Sequence, residues 1–494
     1  MKTLARIALG CLALGLLAQP AWSFQAAPAR TPAAQAPTPE PKPEPQLEPN
    51  PESKPLLSKL ELQDGDCIVF LGDSITHQVL YTQYVEDYFY TRFPKIRLKF
   101  HNAGVGGARA WDALARFDKD VAAYKPKYVT VLLGMNDGGY KGYDDATFQT
   151  YKQDMTEVLK RITDIGATPI LMTPTMFDAR AARARPNNKR NPDDTALYNS
   201  TLAYYGTWLR DVAQENGWGF VDMWTPLNAI TMEQRETDPN FTMIKDAVHP
   251  AEAGQLIMAA AIINDIAPSR RVSAINITRG PNGQLRAGKP AGGTLTDLVS
   301  DSERIEFTWT AESLPWVVPE SAAQGVTLSK MGHKLSSESL QVAGLEPGRY
   351  SLTIDGVEVG TYAAEVLGRK IELQANAKTP QYQQALEVAK LNEKRNKGPY
   401  EGATDGPEHM KRNVWGKFQG LARAKQQLET KPDDEALKKR IEDLEKQLAD
   451  MDEQVAKFNK QAQQIEDEIF QKNQPQARQY MLKKVAGPAT RTRR

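Results

Sequence analysis

The chain has little cysteine, almost no net charge and no long apolar run. Its 2 cysteines among 494 residues are Cys11 and Cys67. Cys11 falls in a leader expected to be removed, so the mature chain would hold Cys67 alone. That excludes an intrachain disulfide and a cysteine-built zinc site. Lys and Arg number 62 against 61 Asp and Glu, for a formal net charge of +1. No global basic field exists to hold nucleic acid through counterion release. No stretch reaches the ~18 apolar residues that a membrane-spanning helix needs. What is present, 40% hydrophobic and 25% charged residues over 494 positions, is globular composition spread over several domains.

The two ends differ from the middle. Lys2 and Arg6 precede the apolar run Ile7 to Ala18, and Ala21-Trp22-Ser23 offers a small-x-small cleavage pattern before Phe24. This predicts a signal peptide over 1–23 and an exported protein, periplasmic or extracellular. The run continues past Cys11, unlike the lipoprotein box that Ala8-Leu9-Gly10-Cys11 faintly suggests. Residues 24–60 form a proline-rich linker, with Pro37, Pro39, Pro41, Pro43 and Pro45 in alternation. Proline fixes φ and removes amide donors, so this segment reads as an extended spacer. Residues 377–494 read as helical. Between 437 and 469, Leu437, Ile441, Leu444, Leu448, Met451, Val455, Phe458, Ala462, Ile465 and Ile469 keep a 4-3-4-3 spacing. That heptad seam predicts a coiled coil, paired either with helices near 381–394 and 414–430 of the same chain or with a second copy.

From residue 61 to 270, short apolar runs alternate with amphipathic stretches. Strands are predicted at 67–71, 128–133 and 169–172, and more weakly at 96–101 and 219–223. Helices are predicted at 81–93, 110–124, 148–165, 194–216 and 251–266. Continuous apolar strands alternating with helices mean a parallel sheet covered on both faces, an α/β fold. Ligand sites in such sheets open beyond the carboxyl ends of the strands. There the sequence places Gly72-Asp73-Ser74-Ile75, Asn102-Ala103-Gly104-Val105-Gly106-Gly107, Gly134-Met135-Asn136-Asp137 and Asp246-Ala247-Val248-His249. A hydroxyl, a glycine backbone, a side-chain amide and an Asp/His pair are the parts that acyl transfer requires.

These four segments, in this order, resemble the blocks of the SGNH hydrolases, the GDSL family of esterases and lipases. The nucleophile block departs from the family name only in Ile75. The resemblance covers roughly 200 of the 494 residues and implies a three-layer, flavodoxin-like parallel sheet. It implies Ser74 as nucleophile, His249 as general base and acid, and Asp246 as the carboxylate that orients it. It further implies an oxyanion hole made of the Ser74 amide, the Gly107 amide and the Asn136 side chain. No cofactor is needed, and no His/Asp cluster has metal-ligand spacing. Asp73 and Asp137 read as loop-fixing residues. His77, His101, His333 and His409 receive no role.

Two features lie beside that resemblance. Arg180, Arg183, Arg185, Lys189 and Arg190 crowd one loop after the fourth strand, where Arg183 and Arg185 are candidate contacts for an anionic substrate. Residues 271–376 alternate in short strands, with a hairpin signal at Asp355-Gly356, and read as a β-rich, sandwich-like unit. The expected activity is hydrolysis of carboxylic esters, short acyl groups on carbohydrate being the favoured substrate. A lysophospholipase, an idle envelope scaffold and a glycan-binding protein stand as alternatives.

Overall fold

The computed structural model describes residues 54–185, 190–267, 271–332, 334–399 and 403–485. The predicted signal peptide, most of the proline-rich linker, Lys189 and His333 lie outside them. Five apolar strands build the first sheet: β1 (Cys67–Gly72), β2 (Lys99–Gly104), β3 (Tyr128–Leu132), β4 (Thr168–Met172) and β5 (Gly219–Val221). They pair in parallel in the order β2-β1-β3-β4-β5. Side chains alternate across the pleat, so Ile68 and Phe70 enter one core while Cys67, Val69 and Leu71 enter the other.

Between and after these strands run α1 (Ser74–His77), α2 (Leu80–Arg92), α3 (Ala110–Asp120), α4 (Asp145–Asp164), α5 (Ala179–Ala184), α6 (Pro192–Ala196), α7 (Tyr198–Asn216), α8 (Trp224–Arg235) and α9 (Glu252–Ile266). Residues of α2 and α9 cover one face of the sheet, and residues of α3, α4 and α7 the other. The chain leaves β1 toward β2 on one side and returns to β3 on the other. The strand order therefore reverses between β1 and β3, where a crevice opens at the carboxyl ends. β2 begins three residues later than predicted, so Asn102 and Gly104 belong to the strand itself. The helix α8 was not predicted; of its buried residues Leu227, Asn228 and Thr231, two are polar, so no apolar stripe marks it.

The second unit consists of two sheets around one core. One has the order β13-β10-β6-β7 and the other β12-β11-β14-β9-β8. Their strands are β6 (Arg271–Arg279), β7 (Leu285–Ala287), β8 (Gly293–Ser300), β9 (Arg304–Ala311), β10 (Ser337–Ala343), β11 (Arg349–Ile354), β12 (Val357–Ala363), β13 (Ile371–Glu372) and β14 (Ala477–Val485). Ile277 and Val342 from the first sheet meet Phe307, Leu352, Tyr480 and Leu482 from the second. Asp355 and Gly356 turn between β11 and β12 with φ of 51° and 79°, the left-handed pair that a two-residue hairpin favours. Two features depart from the sequence reading. Short strands in a sandwich are expected to pair antiparallel, but β6 and β10 run parallel. And the segment after residue 377 is not helical throughout, since β14 lies between β11 and β9, antiparallel to both.

Helices α10 (Ala323–Leu328) and α11 (Ala364–Arg369) are short; α12 (Pro380–Asn396), α13 (Pro407–Thr430), α14 (Glu435–Gln447) and α15 (Met451–Lys472) form the helical region. The heptad stripe does not run along one helix, because the chain turns at Leu448-Ala449-Asp450. Within the chain, Met451 joins the core under α3 and α4, while Ile465, Ile469 and Phe470 join the core under α2. The helical region also covers the edge strand β2, where Arg395 Nη2 donates to Phe100 O at 2.7 Å. An unpaired strand edge is a site of aggregation, and this contact blocks it. Among the described residues no helix is long and apolar enough to cross a membrane.

Candidate active site

The site forms where β1 turns into α1. Asp73 caps this turn, its Oδ1 accepting the Ile75 amide at 2.9 Å, and leaves Ser74 at the surface of the crevice. The end of β2 presses against the same turn. Asn102 Nδ2 donates to Thr76 O at 2.8 Å, and its Oδ1 accepts the Gly104 amide at 2.8 Å. A Cβ on Gly104 would stand 2.4 Å from the His77 amide nitrogen, so this approach admits glycine alone.

Two further loops converge there. Asp137 ties the loop after β3 to the loop after β2, its Oδ1 accepting from Ala110 N at 2.9 Å and its Oδ2 from Gly134 N at 3.0 Å. Asn136 is thereby held against Asp73, the residue before Ser74. Its Nδ2 donates to Ala108 O at 3.1 Å and lies 3.4 Å from Asp73 Oδ2, while its Oδ1 accepts the Tyr140 hydroxyl at 2.9 Å. Gly107 adopts φ of 68°, a left-handed conformation that turns the loop back toward the rim.

The loop before α9 supplies the imidazole. Asp246 Oδ1 accepts the amides of Val248 at 3.0 Å and His249 at 2.7 Å, which folds the four residues into a tight turn. Its Oδ2 meets His249 Nδ1 at 2.6 Å, and His249 Nε2 meets Ser74 Oγ at 2.7 Å. Burial pushes the Asp246 carboxyl up, but the bonds from the His249 ring and from the two amides outweigh it and hold it well below the ordinary range. The carboxylate stays ionised, and a hydroxyl, an imidazole and a carboxylate stand in bonded series. That series can move a proton off the serine while the negative carboxylate stabilises the resulting imidazolium.

Other residues singled out from the sequence are placed as follows. Arg183 and Arg185 are exposed, and Arg185 Nη1 donates to Asp246 O at 2.9 Å, so part of its donor set is spent on the site's own backbone. Arg190 lies with Cζ 3.6 Å above the Tyr140 ring. His101 is buried, bonded through Nε2 to Asp120 Oδ1 at 2.9 Å and stacked 3.5 Å from Tyr124. His77 and His409 meet edge to face at 5.7 Å. Burial and the Arg412, His409 and Arg116 charges bring His77 down to about 4, so it is uncharged at neutral pH. Elsewhere in the chain, Trp309 and Trp316 are core residues, 1% and 5% exposed. Among the described residues no group of three or more His, Cys, Asp or Glu could hold a metal ion. Two groups of contacts have no motif to announce them: Tyr140 on Asn136, and Gln419 and Arg423 of α13 on the glycine loop. The Asn-Asp-Gly-Gly-Tyr run does place an aromatic hydroxyl one short turn after Asn136.

The sequence profile of the GDSL-like lipase/acylhydrolase family matches residues 70–257. An acetylxylan esterase of Geobacillus stearothermophilus is 24% identical over 229 residues, 42% of this chain and 96% of that enzyme. An uncharacterized lipoprotein of Bacillus subtilis (strain 168) is 35% identical over 74 residues, 15% of this chain and 30% of that protein. Among solved structures, a gut microbial diltiazem-metabolizing enzyme superposes with a TM-score of 0.71 at 28% identity, covering 87% of this chain and 100% of that one. That overlap runs well beyond the parallel sheet, so the likeness extends to the β-rich and helical parts. The profile match spans every loop described above, from the end of β1 to the start of α9, and on that basis residues 70–257 are a GDSL-like lipase/acylhydrolase domain and the protein is a carboxylic ester hydrolase.

Proposed function

We propose that this protein is an exported esterase that removes short acyl groups, acetyl above all, from carbohydrate. The observation that carries the reading is the bonded series from Ser74 Oγ to His249 Nε2 at 2.7 Å and from His249 Nδ1 to Asp246 Oδ2 at 2.6 Å. Ser74 Oγ attacks the ester carbonyl carbon as His249 Nε2 takes its proton. The carbonyl oxygen becomes an oxyanion facing the Ser74 amide, the Gly107 amide and Asn136 Nδ2. Collapse of this intermediate breaks the ester C–O bond, and the imidazolium returns its proton to the leaving alcohol. Water, deprotonated by the same imidazole, then releases the acid and restores the serine. Asp246 remains ionised throughout and fixes the tautomer of His249.

Acetylated carbohydrate is supported by the likeness to an acetylxylan esterase across the α/β unit, and the leader and spacer predicted from the sequence suit a protein that meets polysaccharide outside the cell. A second reading, an esterase for small drug-like molecules, is favoured by the whole-chain likeness to a diltiazem-metabolizing enzyme. Hydrolysis of p-nitrophenyl esters of graded acyl length, of acetylated xylan and of acetylated aryl alcohols tests both. The first reading expects kcat/KM to peak at acetyl and to be highest on the oligosaccharide. A peak at long acyl chains, or no hydrolysis of any of the three, would overturn it. Higher kcat/KM on the aryl acetates than on the glycan would favour the second.

A further inference from the structure

We propose that α13, which lies outside the family's segment, aims one donor of the oxyanion hole, with Gln419 and Arg423 as positioning residues. The inference rests on the role proposed above for the Gly107 amide. A trans peptide unit is planar, so the carbonyl of Gly106 and the amide of Gly107 point in opposite directions from one rigid plate. Whatever holds the carbonyl aims the amide. Gly106 O accepts from Gln419 Nε2 at 3.1 Å, and the carbonyl of the next plate, Gly107 O, accepts from Arg423 Nη2 at 2.5 Å. Both plates flanking Gly107 are thus held from one helix, by residues a single turn apart.

The hold is needed because two consecutive glycines have no Cβ to resist a flip of the plate between them. It is also rigid. Asp112, only 1% exposed, receives the Arg423 fork through Nε at 2.6 Å and Nη2 at 2.6 Å while also accepting the Arg109 amide at 2.8 Å. Val414 and Trp415 seat the helix in the core beneath α3 and α4. Arg423 also borders a cavity of about 550 Å³ with Trp111, Asp154 and Gln426, so positioning must be separated from direct substrate contact.

The test uses the full chain with p-nitrophenyl acetate and a fluorophosphonate probe, comparing wild type with Gln419→Leu, Arg423→Ala, Arg423→Lys, the Gln419→Leu/Arg423→Ala double variant and the exposed control Lys417→Ala. Positioning expects kcat of each single variant to fall about 3- to 30-fold with KM within twofold. The double variant should approach the loss of about 10²–10³ that follows removal of an oxyanion donor. Labelling of Ser74 should slow in parallel, Arg423→Lys should recover part of the loss, and Lys417→Ala should change nothing. Folded variants with wild-type kcat, or a change confined to KM, would overturn the proposal. If Arg423→Ala fails to fold, Gln419→Leu decides alone. A wild type that neither hydrolyses esters nor labels would instead remove the functional reading itself, whereas an active wild type with unaffected variants removes only the role of α13.

Discussion

The Tyr140 hydroxyl donates to Oδ1 of Asn136 across 2.9 Å, and this settles which way the Asn136 amide faces. With Oδ1 occupied, Nδ2 turns toward Ala108 O at 3.1 Å and, more loosely, toward Asp73 Oδ2 at 3.4 Å. Tyr140→Phe removes one neutral hydrogen bond, a change of about 0.5–1.5 kcal/mol. The expected result is a drop in kcat of about 3- to 10-fold with little change in KM, read by steady-state hydrolysis of p-nitrophenyl acetate. Asn136→Ala should cost about 10²–10³, and adding Tyr140→Phe to it should cost nothing more.

Ser74→Ala and His249→Ala should each lower kcat by about 10⁴–10⁶, and the double variant should be scarcely worse, because the two act as one unit. Asp246→Asn keeps the shape but supplies an amide in place of the anion; a loss of about 10⁴ is expected. Single-turnover kinetics check all three, and a variant retaining a tenth of wild-type activity would show that its residue stands outside the chemistry.

Burial pushes the Asp73 carboxyl up to about 7 from an ordinary 3.8, and that of Asp137 likewise. Between those values the folded chain binds more protons than the unfolded one, so stability falls as pH rises from about 4 to about 7 and then levels off. The depressed Asp246 acts in a different window, losing its contribution only as pH falls below about 4. Asp73→Asn keeps an oxygen for the Ile75 amide and removes the buried charge. Urea denaturation should show the variant more stable than wild type on the order of 2–4 kcal/mol at pH 8 and equal to it at pH 4. A gain of the same size at both would refute the titration.

Leu482, fully buried in β14, should cost about 2–5 kcal/mol when changed to alanine, the range for a core leucine. A chain stopped before residue 477 loses the strand between β9 and β11 and should show no cooperative unfolding of the β-rich unit by calorimetry. A sharp wild-type transition from such a chain would mean that the two sheets close without it.

What could be read from the sequence follows from how local each signal is. β1 and β3 are unbroken apolar runs, and a strand buried on both faces leaves little else for such a run to be. The four loops could be found because each carries its polar residues beside a strand or helix end, and in the fold His249 bonds both Ser74 and Asp246. β14 escaped notice because Arg478, Lys483 and Lys484 mask the alternation of Tyr480 and Leu482. The heptad stripe was visible, but a 4-3 spacing says only that one side of a helix is apolar. It does not say whether Ile469 meets another chain or, as here, residues of α2. Gln419 and Arg423 were beyond reach for a related reason: they touch the glycine loop from more than 300 positions away, and no local pattern marks a contact made at that separation.

The position of β14 also governs the order of assembly. Its partners β9 and β11 are translated more than 100 residues before it, and until residue 485 has cleared the ribosome each must wait with an open edge. The parallel sheet can form early, while the β-rich unit cannot close on itself before β14 has emerged. Any chain cut short would expose two adhesive strand edges, which would mark it for degradation or for a holding chaperone.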